Sequence, residues 1–379
     1  MNYLINLYNQ TGAGPKNISL NLISEIAKLA NERDLYFVIV PKIAEYAALT
    51  SSSNVMLLKL PKFESLSMKI LYRIYLDLFL IPRLVAKQKI QSMLAFGNFQ
   101  LSPIRIKKTV LLHHPYLFDD VLLKKLPLMA RLIERLKRFV FWLTLKNVDQ
   151  VVVQSSFVMT QFKERWHWYD GDVAIIENPI SNSFPKQSSA QVEQQVLSRI
   201  KTISSGLSLL YVSRFYPHKN HNFLIGLSKA LAAKSFSHRI LITINANIPG
   251  ASEFLDKVAA HNLPIINLGE IDQKALVVYY MDSHVFLFPS ESETFGNPLI
   301  EAMGYGLPVL VPDAGYAHAV VGQAGTYYEI DNADDCAEKL ISLVNDQQKY
   351  TGKSIESFSG FGLFPDASEW VRKYLGILR

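Results

Sequence analysis

The chain opens on an apolar run, Tyr3 to Tyr8, followed by a polar glycine-containing loop and then by apolar positions at helical spacing as far as Ala30. That order predicts a strand over 3–8 and a helix over 15–30, with Pro15 at the helix start, where proline is tolerated. The pattern then repeats. Apolar runs at 35–40, 54–60, 92–96, 108–112, 149–154 and 173–177 predict further strands, and 65–90, 121–146 and 156–165 predict helices. Strands alternating with helices describe a doubly wound parallel α/β sheet. Residues 181–206 change character, with Ser-Asn-Ser-Phe-Pro, Ser-Ser-Ala-Gln and Ser-Ser-Gly, and part of this stretch is expected to be the connection between domains. A second α/β series starts at Leu207, with strands at 209–212, 284–288 and 308–311, and runs past 340. The tail from Pro365 predicts an amphipathic helix. The expected domains are 1–185, 186–355 and a C-terminal helical segment, 356–379.

Composition bounds this picture. At 379 residues the chain exceeds what one core usually supports, so two domains are expected. The single cysteine, Cys336, excludes a disulfide framework and fits a reducing compartment. The first residues show neither a basic n-region nor a cleavage site, so no signal peptide is expected. The most apolar segment, Ile70 to Val85, is interrupted by Arg73, Asp77 and Arg83, which argues against a membrane span. The net charge of +6 is uneven, because residues 1–185 carry +9 and residues 186–379 carry −3. A basic N-terminal half suggests an anionic partner such as a membrane surface, a lipid diphosphate or nucleic acid.

The candidate chemistry centres on residues 290–311, SESETFGNPLIEAMGYGLPVLV. The segment reads as a loop, a short helix and the start of the next strand, with Asn297 as N-cap and Pro298 at the first helical position. The loop and the helix N-terminus therefore belong at the carboxyl edge of a parallel sheet, where open α/β sheets bind ligands. Free N–H groups there favour phosphate, yet Glu293 and Glu301 lie beside them. Each glutamate alone has a plain reading, Glu293 as a solvated loop acid and Glu301 as a helix-start acid. Glu301, however, falls one place too late for a capping box on Asn297. Anion-binding amides beside two acids suit a ligand with anionic and hydroxyl-rich parts, such as a nucleotide sugar.

A strand at 209–212 runs into SRFYPHKN, which places Arg214 and Lys219 in a turn before a helix. Two cations there can clamp a diphosphate, or can simply be solvated. Gly12-Ala13-Gly14 precedes a helix and offers backbone N–H groups, although a plain tight turn explains it equally and Asn17 breaks the dinucleotide fingerprint. His113 and His114 end the strand at 108–112. A zinc site with Asp119 and Asp120 fits no closed ligand spacing. Asp170-Gly171-Asp172 resembles a metal-binding Asp-x-Asp but reads as a turn, so no metal and no cofactor are expected. Over 122–146, Leu132, Ile133, Leu136, Phe139, Val140 and Leu143 form one face. Arg131, Arg135 and Arg138 form another, with Lys124, Lys125 and Lys146 at the ends. The helix is expected to pack its apolar face inward, leaving the arginines to solvent or to anionic headgroups.

The run Glu-x-Phe-Gly-x-Pro-x-x-Glu-Ala-Met-x-x-Gly-x-Pro-Val over 293–309 resembles the retaining glycosyltransferases of family four, which have the GT-B fold and a Glu-x7-Glu signature. The resemblance implies two Rossmann-like domains facing a central cleft, an acceptor-binding N-terminal domain, and a C-terminal helix crossing back to it. It assigns the donor diphosphate to Arg214 and Lys219, the transferred sugar to Glu293 and the nucleotide ribose to Glu301. Backbone N–H groups near Phe295 and Gly296 are assigned to sugar or phosphate, and Gly12 and Gly14 to donor phosphate or acceptor. A histidine ending the 108–112 strand, His113 or else His114, is assigned to the donor sugar. It implies retention at the anomeric carbon without a metal or an enzyme nucleophile. The expected partners are a nucleotide-sugar donor, a glycan or lipid-linked acceptor and an anionic membrane surface, with no nucleic acid. The setting implied is surface-polysaccharide or lipopolysaccharide synthesis at the cytoplasmic face of the membrane. The rival readings are another GT-B enzyme, such as an epimerase or phosphorylase, and a non-catalytic nucleotide-binding subunit.

Overall fold

The protein, described here from a computed structural model over residues 1–31, 33–180 and 187–379, divides into two units. The first comprises Met1–Pro179 with Pro365–Arg379, and the second Ile180–Phe364.

Among the described residues, the first unit holds a seven-stranded sheet of β1 (Asn2–Asn6), β2 (Leu35–Pro41), β3 (Val55–Leu60), β4 (Ser92–Phe96), β5 (Lys107–Leu111), β6 (Gln150–Val153) and β7 (Asp172–Ile175). The spatial order is β3-β2-β1-β4-β5-β6-β7, and every pairing is parallel. Both faces are covered, as the near-continuous apolar strands require. Tyr3, Ile5, Val38 and Leu94 face the first helix, Ala13–Leu29, and the C-terminal helix, Ala367–Leu378, whose Trp370 and Tyr374 are fully buried. Leu4, Ile39, Met93, Val110 and Val151 face the helices that lie between residues 66 and 165.

The second unit holds β8 (Leu207–Tyr211), β9 (His238–Ile242), β10 (Ile265–Asn267), β11 (Val285–Leu287), β12 (Val309–Pro312) and β13 (Gly325–Tyr328), in the order β10-β9-β8-β11-β12-β13 and again all parallel. In both units the strand order reverses beside the first strand, between β1 and β4 and between β8 and β11. Ligands of open sheets bind at such points.

Several local expectations are corrected. Of the stretch 181–206, part of which was expected to connect the domains, residues 181–186 lie outside the described residues and Ser189–Ile203 form a helix. Its Ser-Ser-Ala-Gln start is a capping box: Ser188 accepts from the Gln191 amide and the Gln191 side chain accepts from the Ser188 amide. Residues 347–361 form a helix of the second unit, so the segment that joins the first unit starts at Pro365 and not at 356. The helical region 65–90 contains a π turn at Leu76–Leu80, where Pro82 has no N–H to give the Leu78 carbonyl. Pro127 divides the expected 121–146 helix into Asp120–Lys125 and Leu128–Leu145.

Candidate functional site

At the carboxyl edge of the second sheet, the loops after β8 and β11 are neighbours. The loop after β8 carries Arg214 and then a single 3-10 turn, Pro217–Lys219, closed by Asn220 in the left-handed region at φ 52°. Tyr211 at the end of β8 donates its hydroxyl to the Lys219 carbonyl at 2.6 Å. The loop after β11 is tied to it where the Glu291 amide donates to the His218 carbonyl at 2.8 Å. Tyr316 anchors its other side, donating to the Ser290 carbonyl at 2.6 Å. These backbone bonds bring Lys219 and Glu293 into a direct ion pair, with side-chain exposures of 15% and 9%. The ammonium also lies 5.3 Å from the centre of the Phe288 ring. Arg214 is looser, 39% exposed and 3.7 Å from Glu270. The two cations therefore differ: Lys219 is held in an ion pair with Glu293, and Arg214 is more exposed. Glu293 is therefore not a solvated loop acid.

The turn into the next helix differs from expectation. Gly296, not Asn297, is the N-cap of Asn297–Gly304, at φ 90°. A Cβ at that position would lie 3.0 Å from Leu299 Cδ1, so both the backbone angle and the space demand glycine. Phe295 turns its ring into the core against Phe364, 5.7 Å between centroids, and leaves only its backbone for a ligand. Ser292 beside Glu293 has a buried hydroxyl without a partner among the described residues. Glu301 is half-buried on the helix and accepts a hydrogen bond from the Tyr280 hydroxyl at 2.8 Å. Burial pushes its carboxyl up to about 7 against the opposing pull of that hydrogen bond. Tyr280 in turn stacks flat on Tyr305, with centroids 5.6 Å apart.

Beneath these tyrosines Arg199, fully buried, donates to the carbonyls of Tyr280, Met281, Tyr305 and Gly306, each at 3.1 Å. Neither Tyr280 nor Arg199 stood out in the sequence. Tyr280 is one apolar position of an ordinary helix, and Arg199 lay in a segment that read as linker.

The first unit gathers its own expected residues at the carboxyl ends of β1, β4 and β5, which are adjacent strands. Gly12 is the N-cap of Ala13–Leu29. Gly14 lies in that helix and is otherwise outside the described residues. The Gln10 side chain fastens the loop to the Phe96 carbonyl at 2.7 Å. Asn98, at φ 67°, accepts from the His113 amide at 2.8 Å. His113 and His114 are set apart by their surroundings. His114 is committed to Glu134, Nε2 to Oε2 2.7 Å. His113 has a buried Nδ1 without a geometric hydrogen-bond partner among the described residues, and burial, helped by His114 and only partly opposed by the Leu111 backbone, holds its pKa down to about 4, so the ring is neutral at ordinary pH.

No group of three or more His, Cys, Asp or Glu among the described residues can hold a metal ion. Asp170-Gly171-Asp172 is the turn into β7, with the Asp172 amide bonded to the Asp149 carbonyl.

The basic helix is inside out relative to expectation. Phe141 and Leu145 face the core together with Glu134 and Arg138, while Leu132, Ile133, Leu136, Phe139 and Leu143 are exposed. Arg138 pairs with Asp120 and donates to the carbonyls of Tyr116 (2.6 Å) and Asp119 (2.8 Å). Arg131 bends back to the carbonyls of Lys124 (2.5 Å) and Leu126 (3.0 Å), capping the preceding helix. Only Arg135 of the three is exposed. The guanidinium fork explains the inversion, since five donors can satisfy a set of buried carbonyls that an aliphatic side chain would leave unpaired. Arg138→Ser is expected to lower stability by about 3 kcal/mol, because it leaves those partners buried and unmet. Arg135→Ser should change it by less than about 0.5 kcal/mol. Denaturant midpoints of the two variants check this.

Comparison with known proteins places this geometry in context. Residues 198–356 match the family Glycosyl transferases group 1. The capsular polysaccharide biosynthesis glycosyltransferase CapM of Staphylococcus aureus is 25% identical over 150 residues, 39% of this chain and 39% of that protein. The O-antigen chain mannosyltransferase RfbU of Salmonella typhimurium is 22% identical over 255 residues, 64% of each. The chain thus spans about two fifths of the length of the first of these relatives. In three dimensions it is similar to sucrose-phosphate synthase from Thermosynechococcus elongatus, with a TM-score of 0.76 over 100% of this chain and 98% of that one at 16% identity, which establishes the GT-B fold. The stretch that holds the Lys219–Glu293 pair and Glu301 thus lies within the residues that match the glycosyl transferases group 1 family.

Proposed function

We propose that the chain is a retaining glycosyltransferase that moves a hexose from a nucleoside diphosphate sugar to a glycan acceptor, lipid-linked and part of a surface polysaccharide or lipopolysaccharide. The Lys219–Glu293 pair at the β8/β11 switch point carries this reading. Without ligand, the Glu293 carboxylate supplies the negative charge that a donor diphosphate would bring to Lys219. On binding, the ammonium passes to the phosphate and Arg214 swings from Glu270 to complete the clamp, which frees Glu293 for hydroxyls of the transferred sugar. Backbone N–H groups of Phe295 and Gly296 serve sugar or phosphate, and Glu301, positioned by Tyr280, takes the ribose. In the first unit, the neutral imidazole of His113 suits a hydrogen bond to the sugar rather than a charge, and the Gly12–Gly14 turn offers amides to phosphate or acceptor. The departing phosphate assists the acceptor hydroxyl on the same face of the sugar, so no enzyme nucleophile is required. The enzyme works without a cofactor, peripherally, at the inner face of the cell membrane.

Arg214 and Lys219 do the work that a divalent cation does in metal-dependent transferases, which makes chelation informative. Release of nucleoside diphosphate from a panel of nucleotide hexoses is expected to proceed within about twofold of its full rate in excess chelator; a metal contributing several kcal/mol would change it far more. Activity abolished by chelation and restored by manganese or magnesium would overturn the metal-independent mechanism. Release from none of the panel, with or without acceptor lipid, would overturn the enzyme assignment.

A further inference from the structure

Two helices of the first unit carry apolar rows that no described residue covers. The helix Leu66–Tyr75 has no buried residue at all. Its exposed row of Leu66, Ile70, Leu71 and Ile74 continues through the π turn, which directs Leu76 and Asp77 inward and Leu78 and Phe79 outward. In Leu128–Leu145 the exposed row runs from Met129 through Ile133 and Leu136 to Leu143. Leu66, Leu71, Met129 and Leu136 each keep 60% or more of their surface exposed. Both helices cover the same face of the sheet, where Tyr72, Leu76, Phe141 and Trp142 share one core cluster. They meet at Phe99. Arg73 donates to its carbonyl at 2.7 Å, and its ring lies 6.5 Å from that of Phe141.

The charges on these helices are sorted by sign. Over 66–88 the only carboxylate is Asp77, and over 128–145 the only one is Glu134. Both are buried and paired, Asp77 with Arg73 at 3.0 Å and Glu134 with Lys137 at 2.6 Å and His114 at 2.7 Å. The exposed charges, Lys69, Arg83, Lys87 and Arg135, with Lys146 just beyond, are all cationic. Stacked aromatics, Tyr75 with Phe79 and Phe139 with Trp142, lie along the same surfaces, and the Lys146 ammonium sits 3.8 Å from the Trp142 ring centre. A helix facing only water gains nothing by hiding its acids while exposing leucines. A second copy of this surface would oppose cation to cation in an isologous contact. An apolar row rimmed by cations and amphipathic rings matches the boundary between headgroups and acyl chains of an anionic bilayer.

We infer that these two helices insert their apolar rows into the surface of an anionic membrane, with the surrounding lysines and arginines on the lipid phosphates. This deepens the proposed function, because an enzyme working on a lipid-linked acceptor must meet its substrate at such a surface. The contact is driven by apolar insertion through the two helices, in place of the arginine face expected from the sequence.

Flotation of the full chain with phosphatidylcholine vesicles, with and without phosphatidylglycerol, tests it. Wild type should partition onto the anionic vesicles. Raising salt to about 0.5 M should weaken that binding only several-fold, since screening acts on charges and not on inserted side chains. Leu136→Gln/Phe139→Gln and Ile70→Gln/Ile74→Gln should each lower partitioning at least tenfold, whereas Arg135→Ser should lower it about fivefold. Wild-type partitioning in both glutamine variants, abolition of wild-type binding by salt alone, or failure of wild type to float would each overturn the inference. So would variants that change only the sedimenting mass, which would make this a face between copies. Circular dichroism melting reads the folding of the variants. Nucleotide-induced thermal shifts on the same preparations read the donor site, so a protein that floats without binding nucleotide, or binds nucleotide without floating, shows which reading has failed.

Discussion

Lys219→Ala is expected to slow sugar transfer by a factor of about a hundred to a thousand, the usual effect of removing one well-placed donor to a leaving oxyanion. The loss has two sources. The diphosphate loses a cation that strengthens its grip as charge develops, and Glu293 is left as a buried carboxylate beside the incoming phosphate. Glu293→Gln separates them. Glutamine keeps the shape near the sugar but no longer competes with the phosphate for Lys219, so nucleoside diphosphate affinity should hold or rise while turnover still falls about a hundredfold. The double replacement should cost less than the sum of the two, because the residues touch. Single-turnover rates and calorimetric titration with nucleoside diphosphate give all the required quantities. Equal losses of nucleotide affinity in the two single variants would show that Glu293 does not act on the sugar.

Glu301→Gln should weaken nucleoside diphosphate and nucleotide sugar alike, by roughly ten- to a hundredfold, because the ribose is common to both and charge-assisted hydrogen bonds contribute about 1.5–3 kcal/mol. The effect should depend on pH. Burial raises the Glu301 carboxyl from its ordinary value to about 7, so the charged acceptor is lost as pH falls through that value, and wild-type affinity should decline between about pH 8 and pH 6. In the ligand-free protein the sign is opposite. The fold favours the protonated form, so the stability this group contributes is complete below its unfolded pKa and is lost as pH rises through 7. Tyr280→Phe removes the hydrogen bond that favours the carboxylate. The midpoint of the affinity profile should therefore move upward in that variant and disappear in Glu301→Gln. A wild-type profile that matches Glu301→Gln at every pH would remove Glu301 from the ribose.

The alternation of apolar runs was enough to locate the seven strands of the first sheet and β8, β11 and β12 of the second to within about two residues, because buried parallel strands have no polar face to blur the signal, whereas β9, β10 and β13 were not singled out. The carboxyl-edge positions of Arg214, Lys219 and Glu293 followed from strand order. What local pattern could not reach was side-chain orientation set by distant partners. The apolar row Leu132-Leu136-Leu143 looked like a core face, and only the carbonyls of Tyr116 and Asp119 explain why Arg138 displaced it. Ser188-Ser-Ala-Gln191 read as linker because capping residues and loop residues are chemically the same. Tyr280 carried no signal, since its role depends on a hydroxyl aimed at a residue 21 positions away.

Arg199 also sets the charge balance of the two helices it joins. It forms no ion pair among the described residues, and four of its hydrogen-bond acceptors are carbonyls at the C-terminal ends of two helices, Gln273–Asp282 and Asn297–Gly304. Its counter-charge is thus spread over two helix macrodipoles, each equivalent to roughly half an elementary negative charge at that end. The negative pole of Asn297–Gly304 is thereby grounded at the floor of the unit, and its positive pole lies at Gly296, in the loop that carries Glu293. The helix behaves as a battery with one terminal already wired, and on the proposed function its other terminal is the one that a donor phosphate would meet.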